Sequence, residues 1–555
     1  IGKTQNRMLE RLAQLMYPEL TIVRPAYGIM QAISAEPVSI LKADSQFIIK
    51  RKDCSSFFYF SPVQDVQLVN GSIQCIATCR ELYSIEEGVQ KIQIATCNRK
   101  NPMHEHSLWL GLQLDGEVES LNGVSFFFNW LNDPEAEIWY QYLQYATWSI
   151  HDHQLKVHPG LQMNELNRPQ EQLEQEFDSI QRIEEEVFDV FKRQFVTVES
   201  SPEFSSAKIQ PQAYPPFFEN WFSKEELQEL NQPLIWVQVK FPTAVSPEAI
   251  DNVLCSVNSF PVLNRRLNKI TYKLQQNLNI IPLEAEGSFL SVKDIINSNG
   301  QKIKLVPFGN PYDLQPESYT LRYGINRFNE RNSYETLVNL LDLIREESSF
   351  FSSLGEDFLA QHVRELNQIL ARMEAKVKMK NKHESPFPFL AVRSGRDGAT
   401  IMVEFWSCLG SAANKIPIGT KLMPYQNSNV RTENLYLMTT TFGGRDSLSD
   451  ADKLIQYKKA LFTRNRIVTP EDLKAVVSSE LGQSISSVEI QKTFMKGVLP
   501  GEGFMRCIQI NLYPNEKNDL TAAEWEQKIL RLKGLLAKMS ASNIPYHISL
   551  QKDMN

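Results

Sequence analysis

Two pairs of histidines are the first candidates for chemistry in this chain. His104-Glu105-His106 and His151-Asp152-His153 each set two imidazoles two positions apart. On a strand such residues share a face, so each pair could grip a metal ion, with His158 as a further ligand. Both pairs stand among Pro, Glu and Asp, which reads instead as polar, solvated loop. Cys75 and Cys79 would share a face of a strand but lie roughly 13 Å apart at ~3.3 Å per residue, too far for one zinc. The β-forming run from Ser72 to Thr78 disfavours the helix that would bring them together, so they read as structural thiols. Gly2-Lys3-Thr4 has the end of a phosphate loop without the glycine-rich turn before it. Gly443-Gly444-Arg445-Asp446 offers either an anion nest or, more simply, a tight structural turn. No nucleophile elbow, zinc-protease helix or dinucleotide fingerprint occurs. With 65 acids, carboxylate pairs are everywhere and none is singled out. The expectation is a protein without catalytic residues, cofactor or metal.

Bulk properties narrow the class. A chain of 555 residues suggests three or four domains at about 150 residues each. An apolar share of 42% with 22% charged is globular composition, and 30 Phe, 18 Tyr and 8 Trp can fill several cores and still supply interfaces. A net charge of −7 argues against general nucleic-acid binding. Lys376, Lys378, Lys380 and Lys382 read as a solvated helix end. The seven cysteines are odd in number and mostly lie in apolar runs, which fits reduced, buried thiols in a cytoplasm. No run reaches the ~18–20 apolar residues of a membrane span. The chain opens on Ile1 and a helical pattern, and reads as a fragment lacking its natural start.

The elements that would position these residues follow from periodicity. Residues 24–150 read as mostly β, with a hairpin expected at Asn70-Gly71 between Val66–Val69 and Ile73–Ile76. Leu173, Phe177, Ile180, Ile183, Val187 and Phe191 recur at steps of three and four, which predicts a helix over 170–195 with acids on its other face. Residues 201–222 interleave prolines with aromatics and read as a connection or arm. A second helical region is expected over 333–381, with Leu337, Leu341, Leu366 and Ile369 on its stripe. Thr469-Pro470-Glu471-Asp472 starts a capped helix. Strands at 487–494 and 504–512, a helix at 522–539 and a strand at 546–550 follow. The fold class is multidomain α+β: β-rich domains joined by long helices, with a C-terminal α-β-β-α-β sandwich. The expected divisions are 1–160, a helix at 161–200, a middle α+β domain at 201–332, a helical strut at 333–385, a β-rich segment and linker helix at 386–466, and the sandwich at 467–555.

Several stretches, in order, resemble the TssF family of type VI secretion baseplate subunits. Met16 to Leu20 and Arg24-Pro25-Ala26-Tyr27 are similar to that family's approach to its first β domain. Phe57 to Tyr59 and Val66-Gln67-Leu68 resemble its next strands. Ser259-Phe260-Pro261-Val262-Leu263-Asn264 is similar to its Pro-Val-Val-Asn-Leu-Phe core motif, with Arg265 and Arg266 standing where Leu-Phe is usual. Ile280-Ile281-Pro282 and Phe289 to Asp294 look like the strands that follow. Gly443, Gly444 and Asp446, then Asp450 to Arg466, then Thr469 to Asp472 resemble a signature shared with phage baseplate J-like wedge proteins. The resemblance implies a cytoplasmic structural wedge at the inner face of the membrane. It also implies TssG-, TssK- and TssE-like partners and a central spike, with no catalytic residues, no nucleic acid and no membrane insertion. Self-association is a further expectation. The long helices are then candidate partner interfaces, through Phe177, Ile180, Phe191, Leu337, Leu341, Leu366 and Ile369. The neighbouring reading is a wedge protein of a phage tail or extracellular contractile particle. The reading from another class is a β-rich hydrolase or carbohydrate-binding protein.

Overall fold

The computed structural model describes residues 23–50, 57–97, 105–115, 118–130, 133, 135–151, 153–162, 179–204, 209–230, 232–306, 318–322, 388–394, 398–425, 430–446, 466–481, 484–496, 503–515, 522–540 and 544–551. Among the described residues the protein is β-rich, with several sheets and few helices, as the α+β reading expects. The chain forms two compact units. One comprises Ile1–Arg266 and Cys408–Asn555, and the other is the inserted stretch Leu267–Ser407.

The larger unit contains a ten-stranded and a six-stranded sheet. The ten strands run, in spatial order, Val253–Val257, Ser125–Trp130, Phe195–Ser200, His153–Pro159, Thr147–Ile150, Ile235–Lys240, Ser107–Leu114, Gly71–Ala77, Glu81–Glu86 and Gln90–Thr96. They are drawn from both sides of the Ser179–Phe191 helix, so that helix sits within the sequence of one sheet. Its apolar spacing is realised: Ile180, Ile183, Val187 and Phe191 are all buried. Ile183, Val187 and Phe191 belong to a core built on Phe126, Phe127, Phe128, Trp130 and Trp148, where the Phe126 and Trp148 rings lie 5.0 Å apart. The proline-aromatic stretch folds back on this sheet, with Phe217 and Phe218 against Trp109 and a capping box at Ser223 and Glu226.

The six-stranded sheet runs Met423–Tyr425, Gln46–Lys50, Phe57–Pro62, Ser259–Asn264, Tyr27–Gln31, Tyr436–Leu437. Ser259–Asn264, the family-like core motif, is buried at every position. A strand covered on both faces needs a continuous apolar run, and this one has it. Asn258 stands between it and Val253–Val257, where the chain leaves one sheet for the other. Its φ is +59° and it is buried. Its side-chain amide donates to the carbonyls of Val69 and Gly71, both at 2.8 Å, and accepts from the Val69 N–H at 2.9 Å.

The hairpin expected at Asn70-Gly71 does not form. Val66–Val69 pairs with Val38–Leu41, whereas Gly71–Ala77 pairs with Glu81–Glu86 and Ser107–Leu114. A two-residue type I′ turn needs positive φ at both positions, and neither residue has it. The chain runs on through Asn70 and changes sheets there instead.

From residue 470 the order is helix Pro470–Leu481, strands Ile485–Lys496 and Phe504–Pro514, helix Ala522–Met539 and strand Tyr546–Leu550. The first two strands are antiparallel and the third joins Phe504–Pro514 in parallel. Thr469 caps the first helix, its hydroxyl accepting from the Asp472 N–H at 3.1 Å while the Asp472 carboxylate accepts from the Thr469 N–H at 2.9 Å. Leu473, Val477, Leu481, Ile510, Leu512, Leu532 and Leu536 form a separate core. Residues 467–555 expressed alone are therefore expected to melt cooperatively, monitored by circular dichroism. A featureless melt would show that this core needs the rest of the chain.

The smaller unit has a three-stranded sheet, Arg266–Lys273, Thr400–Cys408 and Ser288–Asn297, and a four-stranded one, Asn277–Pro282, Phe389–Ser394, Ser318–Arg322 and Lys304–Leu305. Ile281, Leu390, Val392, Val403 and Phe405 share its core. The helical region expected over 333–381 lies outside the described residues. Among the described residues no helix is long and apolar enough to cross a membrane.

Candidate functional site

The Gly-Gly-x-Asp signature forms the clearest constellation. Phe442 and Arg445 bridge back to the first strand: Arg24 and Arg445 exchange backbone hydrogen bonds at 2.8 and 2.9 Å, and Tyr27 and Phe442 do so at 2.8 and 3.0 Å. Tyr27 slides beneath the turn, with its ring 4.6 Å from Phe442 and 6.0 Å from Phe191. A Cβ on Gly443, whose φ is +82°, would stand 2.1 Å from that ring. At Gly444 a Cβ would meet the Gly410 carbonyl at 2.3 Å. The Asn414 amide clasps Gly444 through both its N–H and its C=O, each at 2.8 Å. Asp446 accepts from the Ser411 N–H at 2.9 Å and from its hydroxyl. Gly443, Gly444 and Asp446 thus each have a structural task in the turn.

Around the turn lies a set of half-buried charges. Arg24 pairs with Glu186 of the Ser179–Phe191 helix at 2.9 Å, and Arg531 of the Ala522–Met539 helix pairs with Glu480 of the Pro470–Leu481 helix at 2.8 Å. Arg531 also reaches the Gly443 carbonyl at 3.5 Å. Lys533 meets Glu137, and Leu530 packs on the main core. The terminal helices are therefore pinned to the first strand, the glycine turn and the long helix at one place. Burial pushes the Tyr27 hydroxyl up to about 12 and, with Arg24 and Arg531 nearby, the Arg445 guanidinium down to about 10. Both keep their protons at neutral pH. Burial alone would raise the Glu480 carboxyl, but Arg531, Arg24 and Arg445 outweigh it and hold it below the usual carboxylate range.

That depression fixes a pH dependence. A carboxyl lowered in the folded state contributes stability above its ordinary pKa of about 4.3 and loses it as pH falls through the folded value. Acid unfolding should steepen below about pH 4.3. Glu480→Gln should flatten that limb in denaturant titrations at stepped pH, and an unchanged limb would remove Glu480 from the account.

A second charged device lies in the family-like motif. Arg265 is buried, donating to the Pro62 carbonyl at 2.7 Å and to Ser61, and pairing with Glu184. Arg266 stacks on Tyr59, 4.7 Å from its ring centre. The polar face of the Ser179–Phe191 helix thus supplies Glu184 and Glu186 as intramolecular partners.

Among the described residues the histidines do not converge. His106 donates from Nδ1 to the Val245 carbonyl at 3.0 Å, and His151 and His153 are exposed around the turn that joins two strands. His104, Asp152 and Gly2-Lys3-Thr4 lie outside the described residues. Among the described residues no three His, Cys, Asp or Glu are placed to hold a metal. Burial pushes the Cys75 and Cys408 thiols up to about 12 and Cys79 to about 11, away from thiolate chemistry. Lys91 is lowered by burial to about 8, but its ammonium is occupied at a helix end. It donates to the carbonyls of Asp251 at 2.6 Å and Val253 at 3.0 Å.

Ile180 and Phe191 are 7% and 1% exposed, and Phe191 belongs to the chain's own main core. The apolar stripe is consumed at home, with Ile183, Val187 and Phe191 in the chain's own main core. Phe177, Leu337, Leu341, Leu366 and Ile369 lie outside the described residues. Glu186, Glu480 and Arg531 were not marked by any local pattern.

No protein-family model matches the chain, and no curated protein matches it. Solved structures do. A chain of the type VI secretion system TssK-TssF-TssG baseplate subcomplex aligns over 98% of this chain and 91% of its own, at 9% identity and a TM-score of 0.44. A chain of the type VI secretion baseplate complex aligns over 98% and 85%, at 9% identity and a TM-score of 0.33. A chain of the anti-feeding prophage baseplate aligns over 52% and 57%, at 9% identity and a TM-score of 0.15. At such identities and scores, function is left to the chain's own residues.

Proposed function

We propose that this chain is a non-catalytic baseplate subunit of a contractile injection machine, in the role of TssF in a type VI secretion system. The observation that carries the reading is the glycine turn. The residues of the wedge-like signature, Gly443, Gly444 and Asp446, lock the first strand to the stretch from Gly410 to Asp446, which reads as a joint and not a reaction centre. The other family-like motif, Ser259–Asn264, holds the middle of a sheet. Both motifs do mechanical work in this fold, as a scaffold requires. In this role the chain sits at the cytoplasmic face of the membrane and binds TssG-, TssK- and TssE-like subunits and the central spike.

Co-expression with a TssG-like neighbour is expected to yield a complex stable on size exclusion. Deletion of the gene is expected to abolish sheath assembly. A protein that stays monomeric with every baseplate neighbour, and whose loss leaves sheaths intact, would end the scaffold reading.

A further inference from the structure

The terminal hairpin outruns its own domain. Ile485–Lys496 and Phe504–Pro514 pair without interruption out to Lys496 and Phe504, but the third strand covers only Ile508 to Leu512. From Ile490 to Lys496 is roughly 20 Å at ~3.4 Å per residue. Cross-strand partners share a face, so Val488–Leu512, Ile490–Ile510, Lys492–Ile508 and Phe494–Arg506 line one side. Near the helices that side is core: Ile510 and Leu512 are buried. Farther out the same side emerges uncovered, with Phe494 63% and Phe504 80% exposed. Lys492 and Arg506 are exposed beside them. Glu489 lies on the opposite side, where it accepts from Gln491 at 2.9 Å and Tyr513 at 3.1 Å.

We propose that this outer face is a docking arm for a different protein that presents an acidic segment with apolar side chains. Its carboxylates meet Lys492 and Arg506 while its apolar groups cover Phe494 and Phe504. Phenylalanine and arginine are among the residue types enriched at protein interfaces. Charge decides the partner. A second copy docked face to face would set Lys492 and Arg506 against themselves. A nucleic acid would need far more cations than this short strand end offers on a chain of net charge −7. The inference rests on the assembly reading above and adds the surface and the chemistry of the partner.

The test replaces Phe494 or Phe504, one at a time, by photoreactive p-benzoylphenylalanine in the full chain in its native cells, with Gln491 on the opposite face as control. Both phenylalanines are exposed, so the thermal midpoint should hold. The expected result is cross-linking at 494 and 504 to one partner, at a peptide that carries Asp or Glu beside apolar residues. Lys492→Glu with Arg506→Glu should cut the yield roughly tenfold. Lysines in place of the mapped acids should restore it. Cross-linking no greater than at Gln491, a peptide without carboxylates, a second copy of this chain, or indifference to charge reversal would each overturn the arm. If the charge-reversed chain still co-purifies with its baseplate neighbours, the arm fails and the scaffold stands. If the wild-type chain binds none of them, the scaffold fails.

Discussion

Gly443→Ala should lower the stability of the larger unit by about 2–5 kcal/mol. The positive φ alone costs about 1–2 kcal/mol with a side chain present, and overpacking a closed core adds about 1–3. The methyl would meet the Tyr27 ring, which cannot retreat because Phe191 and Phe442 flank it. The diagnostic measurement is a double-mutant cycle in chemical denaturation. In a Tyr27→Ala background the clash is gone, so Gly443→Ala should cost only the backbone term, about 1–2 kcal/mol. Equal costs in both backgrounds would mean that the ring is not what the glycine accommodates.

Asn258→Ala should be at least as severe, at about 3–6 kcal/mol. The substitution strands one buried N–H and removes the amide that serves two carbonyls, at about 1–3 kcal/mol per unsatisfied group, and puts an alanine in a left-handed conformation. Asn258→Gly keeps the backbone freedom and loses the hydrogen bonds, so it should recover about 1 kcal/mol of the loss. If glycine restores full stability, the corner depends on φ alone. If alanine is tolerated, the Asn258 bonds are not what hold the two sheets together.

These two residues also mark where the sequence is legible. The terminal segment could be read closely because its signals are local: Thr469 and Asp472 cap within one turn, and the strands and helix that follow declare themselves by period. The Ser179–Phe191 stripe was equally plain as a pattern. Period shows only that an apolar face exists, not what it meets, and here the chain's own core takes Phe191 while Ile180 is buried in the same helix. Asn70-Gly71 misled because the dipeptide is informative only when its flanking strands pair with each other. Asn258 carries no cue, being a lone amide in an apolar run. Its importance comes from Val69 and Gly71, nearly two hundred positions away. Glu480 and Arg531 likewise find Arg24 and Glu186 only after folding. The glycine turn stood between these cases: its shape was readable, but the Tyr27 ring that requires it was not.

The strand Tyr27–Gln31 has a further consequence, at the ribosome. Its neighbours in the sheet are Ser259–Asn264 and Tyr436–Leu437, and the Ile29 N–H finds its acceptor in Thr439, 410 positions later. At about 5–20 residues per second, the first strand waits roughly 20–80 s after synthesis before its sheet can close. For that interval a fully buried strand has at least one edge unpaired, which is the condition under which nascent chains aggregate or recruit chaperones. The amount of this protein in a cell should therefore track elongation speed and chaperone supply as closely as it tracks the stability of the finished fold.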